Sequence, residues 1–239
     1  MDENKDKKKS IKRVTYKDKG KDVMTVFIQE VLDPAYGCYV WPSAIIMGDY
    51  VWNQRHKFAN RTVLEVGAGT SLPSLILAKI TSPPRLILSD LPELLPVIQD
   101  CLALNKIKPS EDQLWVRPLV WGELGLNGID QLTEEVSCSW DTIDYILGSD
   151  TFYDPADFEK LIMLVSHVIH RHNKNCVFIT AYQERSAKRS IQYLLDKWSL
   201  QCQLIPKESF ELESTRAEDV NVHSGTLASV FLLEIKIRL

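Results

Sequence analysis

The chain has 239 residues, 45% of them hydrophobic and 25% charged, with a formal net charge of −4. That is enough apolar material for one substantial core, and it favours a single α/β domain of an ordinary globular protein over two domains. No apolar run approaches the roughly 18 residues of a spanning helix, and the first residues are lysine-rich rather than signal-like, so no membrane partner and a nuclear and cytoplasmic location are expected.

Residues 1–22 carry nine Lys/Arg against five Asp/Glu and few large apolar groups, and are expected to form a disordered, lysine-rich tail before a domain at 23–239. With that surplus of four positive charges set apart, the body holds −8. A mildly acidic body argues against direct nucleic-acid binding, which wants a basic face, and suits a partner presenting lysines or arginines. Residues 23–31 alternate toward β structure. From there short β-branched runs at 62–66, 85–89, 114–119, 144–148, 176–180 and 200–205 alternate with helical-period stretches at 42–56, 72–80, 92–105, 155–171 and 184–198. The stretch 122–141, rich in Gly, Ser and Glu, reads as a loop or short helix. The final "TLASVFLLEIKIRL" reads as a long strand that closes the sheet antiparallel with 200–205. The pattern predicts right-handed β-α-β crossovers, a mostly parallel sheet and helices on both faces.

Cys38, Cys101, Cys138, Cys176 and Cys202 are odd in number and form no C-x-x-C pair, so no disulfide framework or zinc site is expected. His167, His170 and His172 lack a carboxylate or thiol at ligating spacing and read as helix-end or surface histidines. No metal is assigned.

After the strand at 62–66, Gly67 and Gly69 leave room for a ligand to approach the backbone, and Thr70 or Ser71 stands where it can cap the next helix. A dinucleotide fingerprint asks for a third glycine at 72, where this chain has Leu72 followed by Pro73. A bulkier turn suits a ligand without a pyrophosphate, such as S-adenosylmethionine. Asp90, 21 residues past Gly69, ends the second strand of the series, where α/β nucleotide sites place a carboxylate for ribose hydroxyls. Helix capping ahead of Leu91 and Pro92 is the alternative. Glu65 lies inside an apolar strand, where a carboxylate requires partners; hydrogen bonding to the turn, to a ligand ammonium, or within the fold all remain open.

Together, "EVGAG" (65–69), the acidic strand end, "YVWPSA" (39–44), "VWGE" (120–123) and "SDTFYDP" (149–155) resemble the seven-strand S-adenosylmethionine-dependent methyltransferases. The likeness is to the family 16 protein methyltransferases with their D-x-x-Y signature, here Asp150 to Tyr153, and it spans about residues 25–237. It implies a Rossmann-like seven-strand fold with an antiparallel C-terminal strand and S-adenosylmethionine as cofactor. It places the methionine side on Trp41, the cofactor turn on Gly67, Ala68 and Gly69, the ribose on Asp90, the adenine on Trp121 and a further cofactor contact on Ser149. Asp150 and Tyr153 would border the target channel. Aromatic faces suit both adenine and a sulfonium cation, which supports Trp41 and Trp121 independently.

Methyl transfer is an in-line displacement for which an enzyme chiefly positions and desolvates a neutral nucleophile. A guanidinium, with a pKa above 12, needs carboxylates that fix one nitrogen; Asp150, Asp154, Asp157 and Glu159 are the candidates. Tyr182 and Gln183 follow the fifth strand and are expected to shape the acceptor pocket. The resemblance implies a protein partner: arginine on histone H3, with a role in transcription, or lysine on a chaperone, translation factor or other protein. A non-catalytic interaction protein that retains the cofactor fold, and a small-molecule methyltransferase or nicotinamide-dependent enzyme, are the competing classes. A monomer is expected, since no heptads occur.

Overall fold

The computed structural model describes residues 8–18, 21–31, 38–126, 128–183, 190–210 and 227–238. A two-stranded hairpin comes first, β1 (Lys9–Asp18) paired antiparallel with β2 (Lys21–Val31) from Lys9↔Val31 to Asp18↔Lys21. Helices α1 (Pro42–Asn53) and α2 (Arg55–Phe58) lead into β3 (Thr62–Val66) and α3 (Leu72–Leu77). The chain continues through β4 (Arg85–Asp90), α4 (Leu95–Leu104), β5 (Leu114–Pro118), α5 (Ile129–Ser139), β6 (Tyr145–Ser149) and α6 (Pro155–His167). It ends with β7 (Val177–Gln183), α7 (Gln192–Lys197), β8 (Leu200–Ile205) and β9 (Val230–Ile237).

The main sheet has the order β5-β4-β3-β6-β7-β9-β8. Strands β3 to β7 pair in parallel with one another, and β9 runs antiparallel to both β7 and β8. The expected mostly parallel sheet, closed by an antiparallel C-terminal strand, is therefore present. Alternation sorts the apolar residues onto two layers: Val63, Leu86 and Leu88 join α1, α3 and α4 in one core, while Leu64, Val66 and Ile87 join α5, α6 and α7 in the other. From β3 the chain winds outward through β4 to β5, then crosses over to β6, which lies on the other side of β3. Ligands of open α/β sheets bind where strand order reverses in this way, at the carboxyl ends.

The disordered tail expected over residues 1–22 is corrected at 9–18, which is strand; residues 1–7 lie outside the described residues. A strand needs only one apolar face, and averaging over lysines hides it. Val14 and Tyr16 are fully buried, with Tyr16 5.5 Å from the Trp52 ring, while Trp52 Nε1 donates to Lys17 O at 3.0 Å and Arg55 pairs with Asp18 at 2.9 Å. The α-helices are also shorter than periodicity suggests: 42–56 breaks at Gln54, 92–105 begins with a 3-10 turn, and 155–171 passes into a π-helical turn at Val168–His172. Of the helix read at 184–198, residues 184–189 lie outside the described residues and α7 covers Gln192–Lys197. The stretch read as a loop or short helix at 122–141 holds α5.

Candidate active site at the carboxyl ends of the strands

The turn after β3 carries three consecutive left-handed features: Gly67 at φ +60°, Gly69 at +49° and Ser71 at +58°. At Gly67 the need for glycine is twofold, since a Cβ built there would stand 2.9 Å from Trp121 Cζ2 and 3.4 Å from Thr151 Cγ2. Trp121 and Gly67 therefore form one surface. Ala68 N–H donates to Ser89 O at 3.0 Å and Ser71 N–H to Ala68 O at 2.6 Å, which fixes the turn against β4.

Asp90 closes the other side. Its Oδ2 accepts Gly69 N–H at 2.8 Å and its Oδ1 accepts Leu91 N–H at 2.8 Å. The carboxyl is buried, and burial raises its pKa to about 6, against the pull of those two amides and with a smaller push from Glu93. Asp90 O in turn accepts Leu119 N–H at 2.9 Å, which brings the segment after β5, and with it Trp121, back over the turn.

Glu65 acts within the fold. Its Oε2 accepts Ser74 N–H at 3.2 Å and the Ser74 hydroxyl. Ser74 is the third residue of α3, one of the positions whose amide has no partner inside a helix, so a strand carboxylate does the capping expected of Thr70 or Ser71. Ser71 holds the N-cap position without a side-chain cap bond. Burial raises the Glu65 pKa to about 8, moderated by the two Ser74 bonds and increased by Asp90. Of the readings left open for Glu65, hydrogen bonding within the fold is the one its observed contacts support.

Beyond β6, Ser149 pairs with Ala181 of β7, and its hydroxyl is buried without a hydrogen-bond partner. Asp150 turns the chain at φ +57° with its amide on Ala181 O at 2.9 Å, a strained conformation that an Asp tolerates at a cost of roughly 1 kcal/mol. Its side chain is buried, and Tyr153 is half-buried. Phe152 between them is the anchor, packed edge-on against Phe158 at 5.2 Å and Tyr182 at 5.9 Å. The other candidate carboxylates are engaged elsewhere: Asp154 Oδ1 caps α6 through Ala156 N–H at 3.0 Å, Asp157 pairs with Lys160 at 2.7 Å, and Glu159 pairs with Lys197. Gln183 Nε2 reaches Ser229 Oγ at 3.2 Å, tying β7 to the start of β9. Trp41 sits half-buried at the N-cap of α1, its carbonyl accepting Ala44 N–H at 2.9 Å. Because α1 leads through α2 into the amino end of β3, its own start lies toward the strands' carboxyl ends.

Thr151 and Ser74 were not singled out in the sequence. Thr151 neighbours Asp150 within the same motif and was legible there; Ser74 became visible only once Glu65 and α3 were in place. The three histidines are tied into the fold, His167 to Asp130 at 2.6 Å, His170 to Trp198 O at 3.2 Å, and His172 accepting Ile143 N–H at 2.9 Å.

A glycine turn at a strand-order reversal, a buried carboxylate bonded to it, an aromatic face against it and an unpartnered buried hydroxyl at the next strand end fit the polar and flat parts of S-adenosylmethionine. The class so defined is the Rossmann-like S-adenosylmethionine-dependent methyltransferases. Solved structures of that fold agree: an O-methyltransferase from Bacillus cereus in complex with SAH superposes at TM-score 0.50 with 15% identity, covering 84% of this chain and 83% of the other. An S-adenosylmethionine-dependent methyltransferase from Agrobacterium tumefaciens does so at 0.51 with 11% identity, covering 90% and 68%. A family described as lysine methyltransferase matches residues 20–196, and the chain belongs to it. Similar relatives are the histone-arginine methyltransferase METTL23 of Xenopus laevis, 39% identical over 82% of this chain and 79% of that one, and METTL23 of Homo sapiens, 35% identical over 73% and 85%. The protein-lysine methyltransferase METTL21E of Mus musculus is 28% identical over 74% and 65%. The chain is thus a methyltransferase that uses S-adenosylmethionine, and its relatives imply a protein substrate.

Proposed function

We propose that the protein methylates arginine side chains, with histone H3 as acceptor, and so acts on chromatin and transcription from the nucleus and cytoplasm. Asp90 takes the ribose hydroxyls, the Gly67–Ala68–Gly69 turn lets the cofactor approach the backbone, Trp121 faces the adenine, Trp41 faces the methionine side, and Ser149 supplies a hydroxyl to the bound cofactor. When bound, that cofactor supplies a methyl group already activated by a sulfonium. The chain's own task is then to hold a nitrogen in line with it and to keep water away.

The observation that carries the arginine reading is Asp150. It is the one of the four candidate carboxylates that is buried beside the turn, while Asp154, Asp157 and Glu159 are engaged on or beside α6. A carboxylate at that position would fix one guanidinium nitrogen and take the proton that this nitrogen gives up on methylation. Tyr153 lines the channel with its ring. The METTL23 relatives named as histone-arginine methyltransferases support an arginine on a histone as acceptor. A lysine acceptor is the second reading, favoured by the family description and by the METTL21E relative. Transfer of labelled methyl from S-adenosylmethionine to core histones, followed by hydrolysis of the labelled band, separates the two. Methylarginine on histone H3, lost in Asp90→Ala, is expected; methyllysine, or label confined to other proteins, would overturn the acceptor and leave the class intact.

A further inference from the structure

Among the described residues, a side chain of the N-terminal hairpin reaches the backbone next to Trp41. Glu30 of β2 is 6% exposed. Its Oε1 accepts Val40 N–H at 3.0 Å and pairs with Lys12 Nζ at 2.9 Å, and its Oε2 accepts the Ser10 hydroxyl at 3.2 Å. Val40 is the residue before Trp41, and the Trp41 carbonyl starts α1. One carboxylate therefore joins both strands of the hairpin to the backbone that presents Trp41. Elsewhere the hairpin is anchored to the domain by groups remote from Trp41: Asn105 Oδ1 accepts Phe27 N–H at 2.9 Å, and Lys79 Nζ donates to Thr25 O at 2.6 Å. The family match begins at residue 20, so Ser10 and Lys12, both on β1, lie before it.

We propose that Glu30, held by Lys12 and Ser10, is a positioning residue that sets cofactor affinity by fixing the backbone ahead of Trp41. A buried N–H must be accepted by something, and a charged acceptor makes the stronger bond. The carboxylate can be buried because Lys12 neutralises it and Ser10 satisfies its other oxygen. Without Glu30 the Val40 amide loses its acceptor and Lys12 its partner, so the segment before α1 relaxes and the Trp41 ring is no longer pre-set. The inference rests on Trp41 facing the cofactor.

The test is calorimetric binding of S-adenosylhomocysteine to the full chain in a double-mutant cycle. Glu30→Ala is expected to weaken binding about tenfold in the native background and less than about twofold in Trp41→Ala, because the carboxylate acts through that ring. Glu30→Gln keeps an acceptor for Val40 N–H and is expected to retain affinity within about threefold. Asn105→Ala, which loosens the hairpin away from Trp41, is expected to lower the melting temperature with affinity unchanged. If Glu30→Ala does not fold, Lys12→Met carries the same cycle, with a smaller loss that again vanishes in Trp41→Ala. Equal losses with and without Trp41, or no loss at all, would overturn the positioning role. Unchanged affinity in Trp41→Ala alone would overturn the cofactor reading of Trp41 itself and the coupling with it.

Discussion

Replacing Gly67 by alanine tests the surface shared by the turn and Trp121. The new methyl meets two penalties. The backbone is at φ +60°, where an L-residue is disfavoured by roughly 1–2 kcal/mol. The Cβ would also stand 2.9 Å from Trp121 Cζ2, so the ring must withdraw by about half an ångström before contact becomes ordinary. The strain alone should lower unfolding stability by about 1–2 kcal/mol in urea denaturation. The displaced ring should in addition weaken S-adenosylhomocysteine binding by about tenfold or more, since the affected face is the one proposed to meet the adenine. Gly125 is the internal control: a Cβ there meets nothing within 4 Å, and Gly125→Ala should change stability by less than about 0.5 kcal/mol and leave affinity alone. If Gly67→Ala bound the cofactor product as tightly as the native chain, the shared Gly67–Trp121 surface would not be the adenine site.

Glu65 has its pKa raised to about 8 from 4.5, so its contribution to stability is complete at low pH and is lost as pH rises toward and through 8. Melting temperatures should fall between pH 5 and 9, and Glu65→Gln, which keeps an acceptor for Ser74, should flatten that decline; an unchanged slope would contradict the assignment. His172 behaves oppositely: burial lowers its pKa below 6.5, opposed by Asp141, so the stability it contributes is present above 6.5 and is lost as pH falls below it, when protonation removes the acceptor for Ile143 N–H. Thermal melts of His172→Gln compared with the native chain from pH 7.5 to 5 should show the variant losing less. Asp154→Ala removes the α6 cap and should cost about 1 kcal/mol in denaturation while kcat is preserved, because that carboxylate is committed to Ala156 N–H; a large fall in kcat would return Asp154 to the acceptor site.

The parallel sheet was legible because its strands are short apolar runs separated by helical periods, and β3 to β8 begin and end within a few residues of the sequence reading. The hairpin was not legible at its first strand, since Val14 and Tyr16 are two apolar residues among lysines and their burial depends on Trp52 and on β2, distant in sequence. At the site, Gly67, Gly69 and Asp90 could be read from spacing, as turn chemistry is local. The separation of Asp150 from Asp154, Asp157 and Glu159 could not, because it depends on which partners α6 and α7 bring to each carboxylate. Glu65 shows the same limit: a carboxylate inside an apolar strand announces a partner, and only the placement of α3 reveals that the partner is Ser74.

The proposed function puts two roles side by side at one end of the sheet, cofactor binding at Asp90 and methyl transfer at Asp150. The most direct test measures S-adenosylhomocysteine affinity and single-turnover methyl transfer in Asp90→Ala and Asp150→Asn of the same preparation. Asp90→Ala is expected to lose affinity by about a hundredfold, whereas Asp150→Asn is expected to bind within about threefold of the native chain and to transfer at least about a hundredfold more slowly. Native transfer rates in Asp150→Asn, or native affinity in Asp90→Ala, would contradict it.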